Sequence, residues 1–274
     1  MKKALYTALV QLELTVVALL VLIPIFWIVL SSFNMGNGLA SSSFIPRQLT
    51  LNNYVRLFRE TNYARWFSNS FGIAFFNALF SVVLIVFSAW IFSRFHFYGK
   101  KSILMAMLLI SMFPSFLSMT ALYTFFLDFN LINKPLALVP VYVAGAIPYN
   151  VWLVKGYLDG ISREIEEASY IDGCTYAQSF FRIVLPMSLP IITYCAVSQF
   201  MLPWMDYILP NMLLSSDKSQ TLAIGLYSMI TGKENTNFTL FASGAILIAV
   251  PIAILFLIFQ KYLVQGISAG ANKG

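Results

Sequence analysis

The side chains most often used in catalysis and metal binding are scarce in this chain of 274 residues. His96 is the one histidine, and Cys174 and Cys195 lie too far apart in the sequence for a metal-ligand pair, so neither a metal site nor a histidine-based catalytic triad can be assembled. A phosphate-binding loop of the G-x-x-x-x-G-K-[ST] type is missing too, because Arg94 stands where the glycine that precedes Gly99 should be. We therefore expect no catalytic residue, no metal and no cofactor bound by this chain.

A second set of chemically capable residues lies inside apolar segments. Asp206 is the acidic residue that the sequence places deepest in such a segment, and Gln199 lies two turns earlier on roughly the same helical face. Carboxylates and amides pair with hydroxyl groups, and aromatic rings offer a flat apolar surface, so these residues are candidates for a substrate pathway. Alternatively, Asp206 pairs with another membrane subunit, and the amide of Asn150 only bonds a neighbouring helix. The candidates are Asn150, Gln199, Trp204, Asp206 and Tyr207.

The longest stretch with several charges, EEASYIDGCTYAQSFFRIVLP, lies between two apolar segments. Its pattern predicts two short helices, of which the first ends at Gly173 and the second begins at Thr175, with Gln178 completing a capping box. Pro186 marks the entry into the next apolar segment. On periodicity alone, this stretch is either an amphipathic helix on a membrane surface or a docking element. The apolar stripe of the first helix is Ile161, Ile165, Ala168 and Ile171.

Composition assigns the chain to the integral membrane proteins. Hydrophobic residues make up 59% and charged residues 10% of the sequence, and the mean hydropathy is +0.78. A spanning helix needs roughly 20 largely apolar residues, and several segments reach that length. We therefore predict an all-α membrane protein with six transmembrane helices, the third kinked at Pro114 and the fourth and fifth bent or broken by their prolines. The segments are 12–33, 68–92, 102–127, 136–158, 185–214 and 240–264.

The distribution of lysine and arginine predicts the orientation. With a cytoplasmic N-terminus, ten basic residues fall inside and seven outside, four of the latter in the loop 34–67, where the rule does not explain them. We expect both termini in the cytoplasm, and the net charge of +6 then attracts anionic membrane lipid rather than nucleic acid. The alternative for the N-terminus is a cleavable signal peptide after Lys2 and Lys3, but the apolar run that follows is longer than such a signal uses.

The charged stretch resembles a known motif. Its spacing is similar to the EAA loop of permease subunits in bacterial ABC importers, and it departs from the usual pattern only at Ser169, where a second alanine is expected. The resemblance implies that Glu167 makes a polar or ionic contact with an ATPase, that Ala168 and Ser169 allow close approach, and that Gly173 permits the turn between the two short helices. The residues that carry the motif are Glu167, Ala168, Ser169, Gly173, Ile183, Leu185 and Pro186.

Other stretches along the chain resemble the carbohydrate branch of these permeases. LTLNNYVRLF, WFSNSF, LLSSDKSQTLAIGLYSM and the ending QKYLVQGISAGANKG are most similar to MalG-type subunits of maltose and maltodextrin importers. The resemblance implies a sugar-transporting subunit of the bacterial cytoplasmic membrane that is not itself an enzyme. Its expected partners are a second, MalF-like permease, two cytoplasmic ATPases that use ATP and Mg²⁺, and an extracytoplasmic sugar-binding protein.

The same resemblance divides the chain. Residues 1–274 form a single permease domain, 159–186 are a cytoplasmic coupling loop between the fourth and fifth spans, and 265–274 are a cytoplasmic tail. The tail looks disordered by composition, but its match to the MalG-type ending implies insertion between the two ATPases, with Gly270 and Lys273 in contact.

Two other function classes stay open on the sequence. A self-sufficient secondary transporter would need internal repeats and a membrane-embedded ion site, and neither is evident. An intramembrane enzyme would need a paired catalytic group, and Asp206 has no second deep acid beside it.

Overall fold

The computed structural model describes residues 2–36, 48–231 and 237–271. Every regular element in these ranges is helical, apart from an isolated antiparallel bridge between Asn34 and Leu49. The α-helices are α1 (Lys2–Ser32), α2 (Asn52–Glu60), α3 (Tyr63–Arg94), α4 (Lys100–Ser111), α5 (Met119–Asp128), α6 (Leu138–Leu158), α7 (Arg163–Ile171), α8 (Tyr176–Ser179), α9 (Leu185–Met187), α10 (Leu189–Met205), α11 (Ile208–Leu213), α12 (Leu222–Thr231) and α13 (Phe238–Ala271). Short 3-10 helices cover Ser115–Ser118, Pro135–Ala137 and Asp217–Ser219, and a π-helix covers Phe180–Val184.

The number of membrane spans depends on how two bent helix pairs are counted. Within the described ranges, four helical stretches are long and apolar enough to cross a membrane, and the total of six is reached when each bent pair forms one span. The four are Tyr6–Ser32, Tyr63–Arg94, Pro135–Leu158 and Phe238–Lys261. The pairs are Lys100–Ser111 with Phe116–Asp128, bent by 85°, and Tyr176–Met187 with Leu189–Met205, bent by 76°.

The prolines act differently from one span to the next. At Pro114 the backbone is extended (φ −62°, ψ 122°), so the third span is broken there rather than only kinked. The fourth span is not broken as one form of the prediction had it, because α6 continues as a helix through Pro148. The fifth is interrupted at Ser188 and again at Asp206, where α10 has ended and the backbone is extended.

The first of two compact units comprises residues up to Ala64 together with Ile224–Pro251. Inside it, the loop 34–67 contains an unpredicted amphipathic helix, α2, whose buried Asn53 amide donates to the carbonyls of Ser32 (3.0 Å) and Asn34 (2.8 Å). On the exposed side of α2, Arg56 pairs with Glu60 at 2.9 Å, which accounts for one of the arginines that the orientation rule left unexplained.

The second unit comprises Arg65–Ala223 and Ile252–Gly274 and contains both candidate sites. Its core joins α3, α4, α6, the π-helix and α10, and the rings of Trp90 and Phe180 lie 4.6 Å apart at its centre. The buried cluster is Ile85, Val86, Ala89, Trp90, Phe92, Leu104, Ala146, Val151, Val154, Leu158, Phe180, Val184, Ile191 and Cys195. This core packs the α7–α9 segment (residues 159–186) directly against the spanning helices of its unit.

Candidate functional site

The segment after α6 folds as the predicted pair of short helices. α7 ends at Ile171, and Gly173 adopts φ +85°, a left-handed conformation that costs little only for glycine. At the start of α8 the Thr175 hydroxyl accepts from the Gln178 amide, and the Gln178 side chain accepts from the Thr175 amide at 2.8 Å. The turn at Gly173 and the capping box are therefore confirmed.

A buried ion pair ties α7 to the end of α3. Arg94 Nε donates to Glu166 Oε1 at 2.5 Å, and the two side chains are 8% and 5% exposed. The same guanidinium donates through Nη2 to the carbonyl of Ile161 at 3.2 Å, just before α7 begins. Because the two charges satisfy each other away from solvent, removal of either one leaves the other buried without a counter-charge.

A second group of polar contacts fixes the junction between α6 and α7. Ser93 Oγ donates to Asp159 Oδ1 at 2.6 Å, Lys155 Nζ donates to Asp159 Oδ2 at 2.6 Å, and Arg163 Nη2 donates to the Ser93 carbonyl at 2.8 Å. Burial acts to raise the pKa of Asp159, but the hydrogen bonds from Lys155 and Ser93 outweigh it and hold that pKa below its ordinary value. The junction is therefore held by side chains from α3 as well as by its own helices.

The structure places the EAA residues on opposite sides of α7. Ser169 is 5% exposed, and its hydroxyl donates to Ser179 Oγ at 3.0 Å, which holds α7 against α8. Ser169 therefore packs within the chain, contrary to the interpretation that it gives a partner close approach. Glu167 and Ala168 are exposed, as that interpretation requires.

Three of the four residues in the predicted apolar stripe face outward from α7, whereas Ile161 lies before the helix, is half-buried and packs against the core. Ile165 is 41% and Ile171 is 87% exposed, and Ala168 lies between them. The side of the helix turned into the chain carries Glu166 and Ser169 instead. α7 thus buries its polar contacts and exposes apolar side chains, the reverse of an ordinary amphipathic surface helix.

The last part of the motif forms the connection to α10. Ile183 belongs to the π-helix, and Leu185 begins α9; both are half-buried, and Leu185 packs against the core of its unit. Pro186, which is exposed, occupies the first turn of α9, where a missing N–H costs nothing. The sharp bend follows at Ser188, two residues after the predicted point of entry.

A cavity of about 1120 Å³ in the second unit brings together three of the five predicted pathway residues. Asn150, Gln199 and Asp206 line it, whereas Trp204 and Tyr207 do not. The other lining residues are Ser118, Met119, Leu122, Pro140, Val141, Tyr142, Ala144, Gly145, Ala146, Tyr149, Tyr194, Ser198, Leu202, Met205, Ile208 and Leu209.

Asp206 occupies a helix break instead of the interior of a span. Its Oδ1 accepts from the backbone amides of Ile208 (3.0 Å) and Leu209 (3.4 Å) at the start of α11, and its Oδ2 accepts from the Tyr142 hydroxyl at 2.8 Å. The carboxylate therefore caps α11 and joins it to α6. No local pattern in the sequence indicates Tyr142, because it lies 64 positions away on another helix.

Gln199 and Asn150 differ in how their polar atoms are satisfied. Asn150 Nδ2 donates to the Ala146 carbonyl at 2.8 Å, and Asn150 Oδ1 lies 3.9 Å from the thiol of Cys195, so this amide makes the contacts within and between helices that the alternative interpretation expected. Gln199 is 5% exposed, and its Oε1 has no hydrogen-bond partner within the described part of the chain. An unpaired buried carbonyl is costly, so Gln199 stands out among the lining residues.

Trp204 has a packing role in its unit. Its ring lies 5.5 Å from that of Phe67 and 5.9 Å from that of Phe200, and the side chain is 7% exposed. Tyr207 is half-buried at the break beside Asp206. The sequence places these two aromatic residues next to Asp206, but Trp204 lies on another face of α10 from the cavity-lining Leu202 and Met205.

Comparisons with known proteins identify the family of the chain. Residues 81–269 match the family described as "Binding-protein-dependent transport system inner membrane component". The chain belongs to this family. The permease is 37% identical over 261 residues to the maltodextrin transport system permease protein MdxG of Bacillus subtilis, covering 95% of this chain and 94% of that protein. It is 36% identical over 264 residues to the galactooligosaccharides transport system permease protein GanQ of the same organism, covering 95% and 93%.

A solved structure shares the fold of the permease. A chain of a bacterial ABC transporter involved in the import of alginate superposes with a TM-score of 0.79 at 20% identity, over 96% of this chain and 98% of that one. The permease is therefore a multi-pass inner-membrane component and a transporter subunit. Family membership favours a transporter subunit over the two alternatives of a self-sufficient secondary transporter and an intramembrane enzyme.

The end of the permease is helical where composition suggested disorder. α13 continues through residues 265–271, so the backbone at Gly270 is helical, and Lys273 lies outside the described residues. Nowhere in residues 2–36, 48–231 and 237–271 do three His, Cys, Asp or Glu side chains come close enough to hold a metal ion.

Proposed function

We propose that this permease is one of two membrane subunits of an ABC importer that moves a neutral oligosaccharide, maltodextrin or a related sugar, into a bacterial cell. The names of the relatives support a carbohydrate substrate, since they specify maltodextrin and galactooligosaccharides. A MalF-like permease would complete the pathway, two cytoplasmic ATPases would supply energy from ATP and Mg²⁺, and an extracytoplasmic binding protein would deliver the sugar. Both termini and α7 would then face the cytoplasm.

The observation that carries this proposal is the two-sided character of α7. Its inner side is fixed by the buried Arg94–Glu166 pair and by Ser169, and its outer side presents apolar residues with an exposed carboxylate, Glu167, beside them. A soluble ATPase can be engaged only outside the bilayer, and a helix fixed to a spanning helix transmits a displacement that a loose loop would absorb. We therefore assign the exposed face of α7 to the ATPase contact, with Glu167 as its polar member.

Uptake and assembly measured on the same complex test this role. Ala168→Trp places a bulky ring in the middle of the exposed face, and Gly173→Pro prevents the left-handed turn after α7. Both variants should insert in the membrane but lose uptake of labelled maltotriose. Ala18→Trp, the same size change at an exposed position of α1, is the control and should transport normally. Normal uptake in the Ala168→Trp and Gly173→Pro variants would refute the assignment.

The tail contact is a separate part of the proposal. The backbone of α13 is helical as far as Ala271, which supports a tail that keeps a defined direction up to that residue. We propose that residues 265–274 enter the gap between the two ATPases, where Gly270 permits close approach and Lys273 meets acidic or carbonyl groups. Ala271→Cys should crosslink to an ATPase in at least one nucleotide state. Removal of residues 269–274 should weaken stimulation of ATP hydrolysis while docking of α7 persists; no crosslink in any state would show that the tail is only solvated.

A further inference from the structure

We infer that the cavity lined by Gln199 and Asp206 is a subsite for a neutral, hydroxyl-rich ligand and that its charge excludes acidic sugars. The inference rests on the proposed function, which supplies the substrate class, a neutral oligosaccharide. It adds which residues of this subunit contact the sugar and which sugars the cavity excludes. Three properties of the cavity carry it: an unsatisfied acceptor, its size and lining, and its charge.

The unsatisfied acceptor is the carbonyl oxygen of Gln199. Gln199 is buried to 95% and lines the cavity, yet its Oε1 has no hydrogen-bond partner in the part of the chain that the structure describes. A buried acceptor in a membrane protein needs a donor from within the protein, from water or from a ligand. The oxygen itself is closed off from the cavity in this structure, so a sugar hydroxyl supplies such a donor once the Gln199 side chain turns toward the cavity; ligand binding would then satisfy a group that the fold leaves unpaired.

The size and lining of the cavity suit more than one sugar unit. Its volume of about 1120 Å³ exceeds the roughly 300–1,000 Å³ typical of sites for drug-sized ligands. Tyr149 and Tyr194 line it at positions that are exposed and half-exposed, and their rings can pack against the apolar faces of pyranose rings. A second cavity, of about 530 Å³, lacks polar side chains in its lining and could not orient hydroxyl groups. It is lined by Phe76, Phe80, Val83, Leu84, Leu136, Val139, Pro140 and Val143.

The charge of the cavity determines which sugars it accepts. Asp206 is its one charged lining residue, and neither lysine nor arginine occurs among the described residues that line it. A uronic acid would bring a second carboxylate next to Asp206 with no lining cation to offset the repulsion between the two like charges. Neutral hydroxyls instead donate to the remaining lone pairs of Asp206 and to Gln199.

The competing occupant is a helix of the second permease. Such a helix would fill the cavity with apolar side chains and leave Gln199 Oε1 unpaired unless it brought a donor. The two possibilities differ in a measurable way, because a ligand subsite opens to solvent in some state of the transport cycle and a permanent subunit interface does not.

Thiol labelling of the assembled transporter tests accessibility and charge together. Ser198→Cys places a thiol in the cavity lining, in a background with Cys174→Ser and Cys195→Ser. A cationic thiosulfonate should react several-fold faster than an anionic one, and Asp206→Asn, which can still cap α11, should remove that preference. Ser102→Cys is the matched control: it lies beside Lys100 and Lys101, so there the anionic reagent should react faster.

Protection from labelling tests the ligand class. Maltotriose should slow labelling of Ser198→Cys, and a trisaccharide of uronic acid should not. Gln199→Met removes the acceptor at nearly constant shape, so it should raise the maltotriose concentration for half-protection by about three- to tenfold. Thermal unfolding of the same variant should be unchanged or shifted upward, since the variant removes an unsatisfied group; a purely structural role for Gln199 would lower it.

Several results would overturn the inference. These are an unreactive thiol in every nucleotide state, equal protection by the neutral and acidic trisaccharides, or a preference for the anionic reagent in the parent cavity. Uptake of labelled maltotriose by the unmodified transporter is measured in parallel. If uptake occurs and protection does not, the subsite is refuted while the proposed function stands; if uptake itself is absent, the proposed function fails.

Discussion

The α7–α9 segment (residues 159–186) and the cavity differ in whether their buried polar groups have hydrogen-bond partners. Around α7, Arg94, Glu166 and Asp159 each have an identified partner from another part of the chain. In the cavity, Gln199 Oε1 is buried without a partner within the described residues, and Asp206 faces a space with no lining cation. Trp90 Nε1, Trp204 Nε1 and Thr221 Oγ1 are also buried without a partner within the described residues, but none of these residues lines the cavity. We infer that satisfied buried groups hold α7 in place, whereas an unsatisfied acceptor beside a cavity marks a place where the protein can accept a donor from outside.

The largest expected effect is the loss of stability when one member of the Arg94–Glu166 pair is removed. Glu166→Met or Arg94→Met leaves one buried charge without its partner and should destabilise the transporter by about 3–5 kcal/mol, while the double variant should recover much of that loss. In the cavity, Gln199→Met should cost nothing. Thermal unfolding of the four purified complexes measures this difference. A Gln199→Met variant as unstable as Glu166→Met would erase the contrast between the two regions.

The sequence predicts features that depend on neighbouring residues and misses contacts between residues far apart in the chain. The turn at Gly173 and the capping box of Thr175 and Gln178 depend on neighbouring residues, so spacing alone predicts them. The pair Arg94–Glu166 joins residues 72 positions apart, and no local pattern indicates it. The sequence does not predict that Ile165 and Ile171 face outward, because periodicity defines an apolar face of a helix but not its packing partner.

The cavity was only partly predictable for a similar reason. The prolines of the fifth span indicate that it breaks, but they do not locate the break. It falls at Asp206 because Pro210 fits the first turn of a new helix, where no N–H is required, and Asp206 can cap that helix. The break brings Asp206 to Tyr142, which depends on tertiary packing. Trp204 instead lies within α10 on a face other than the one that carries Gln199, Leu202 and Met205 to the cavity, so helix periodicity alone turns it away. α2 was missed because nine residues give too short a period to distinguish a helix from a loop.

An intermediate effect is expected from the constrained backbone at Gly173, the turn between α7 and α8. Gly173→Ala imposes a side chain on a backbone with φ +85° and should cost about 1–2 kcal/mol, although the added methyl group meets open space. Gly156→Ala in α6 is the matched control, since its added methyl also meets nothing within 4 Å while its backbone is helical. The control should be neutral or slightly stabilising. Equal unfolding temperatures for the two variants would mean that the turn is not constrained.

The smallest expected effect is a dependence on pH. The folded-state pKa of Asp159 lies below its ordinary value of 3.8, so its contribution to stability is fully present above that value and is lost as the pH falls through the folded pKa. Asp159→Asn should therefore lower the unfolding temperature at neutral pH, and the difference from the parent should shrink below pH 3.8. The shift should be modest because the side chain is 36% exposed and screened by solvent. A difference that persisted at acid pH would point to lost packing instead of lost charge.

The central claim is that the exposed face of α7 contacts the ATPase, and crosslinking from two adjacent residues tests it most directly. Ala168→Cys lies on the exposed face, whereas Ser169→Cys lies on the buried side against Ser179. In the assembled transporter, a short bifunctional reagent should join Ala168→Cys to an ATPase subunit and leave Ser169→Cys unjoined. A crosslink from Ser169→Cys with none from Ala168→Cys, or no crosslink from either in any nucleotide state, would contradict the account.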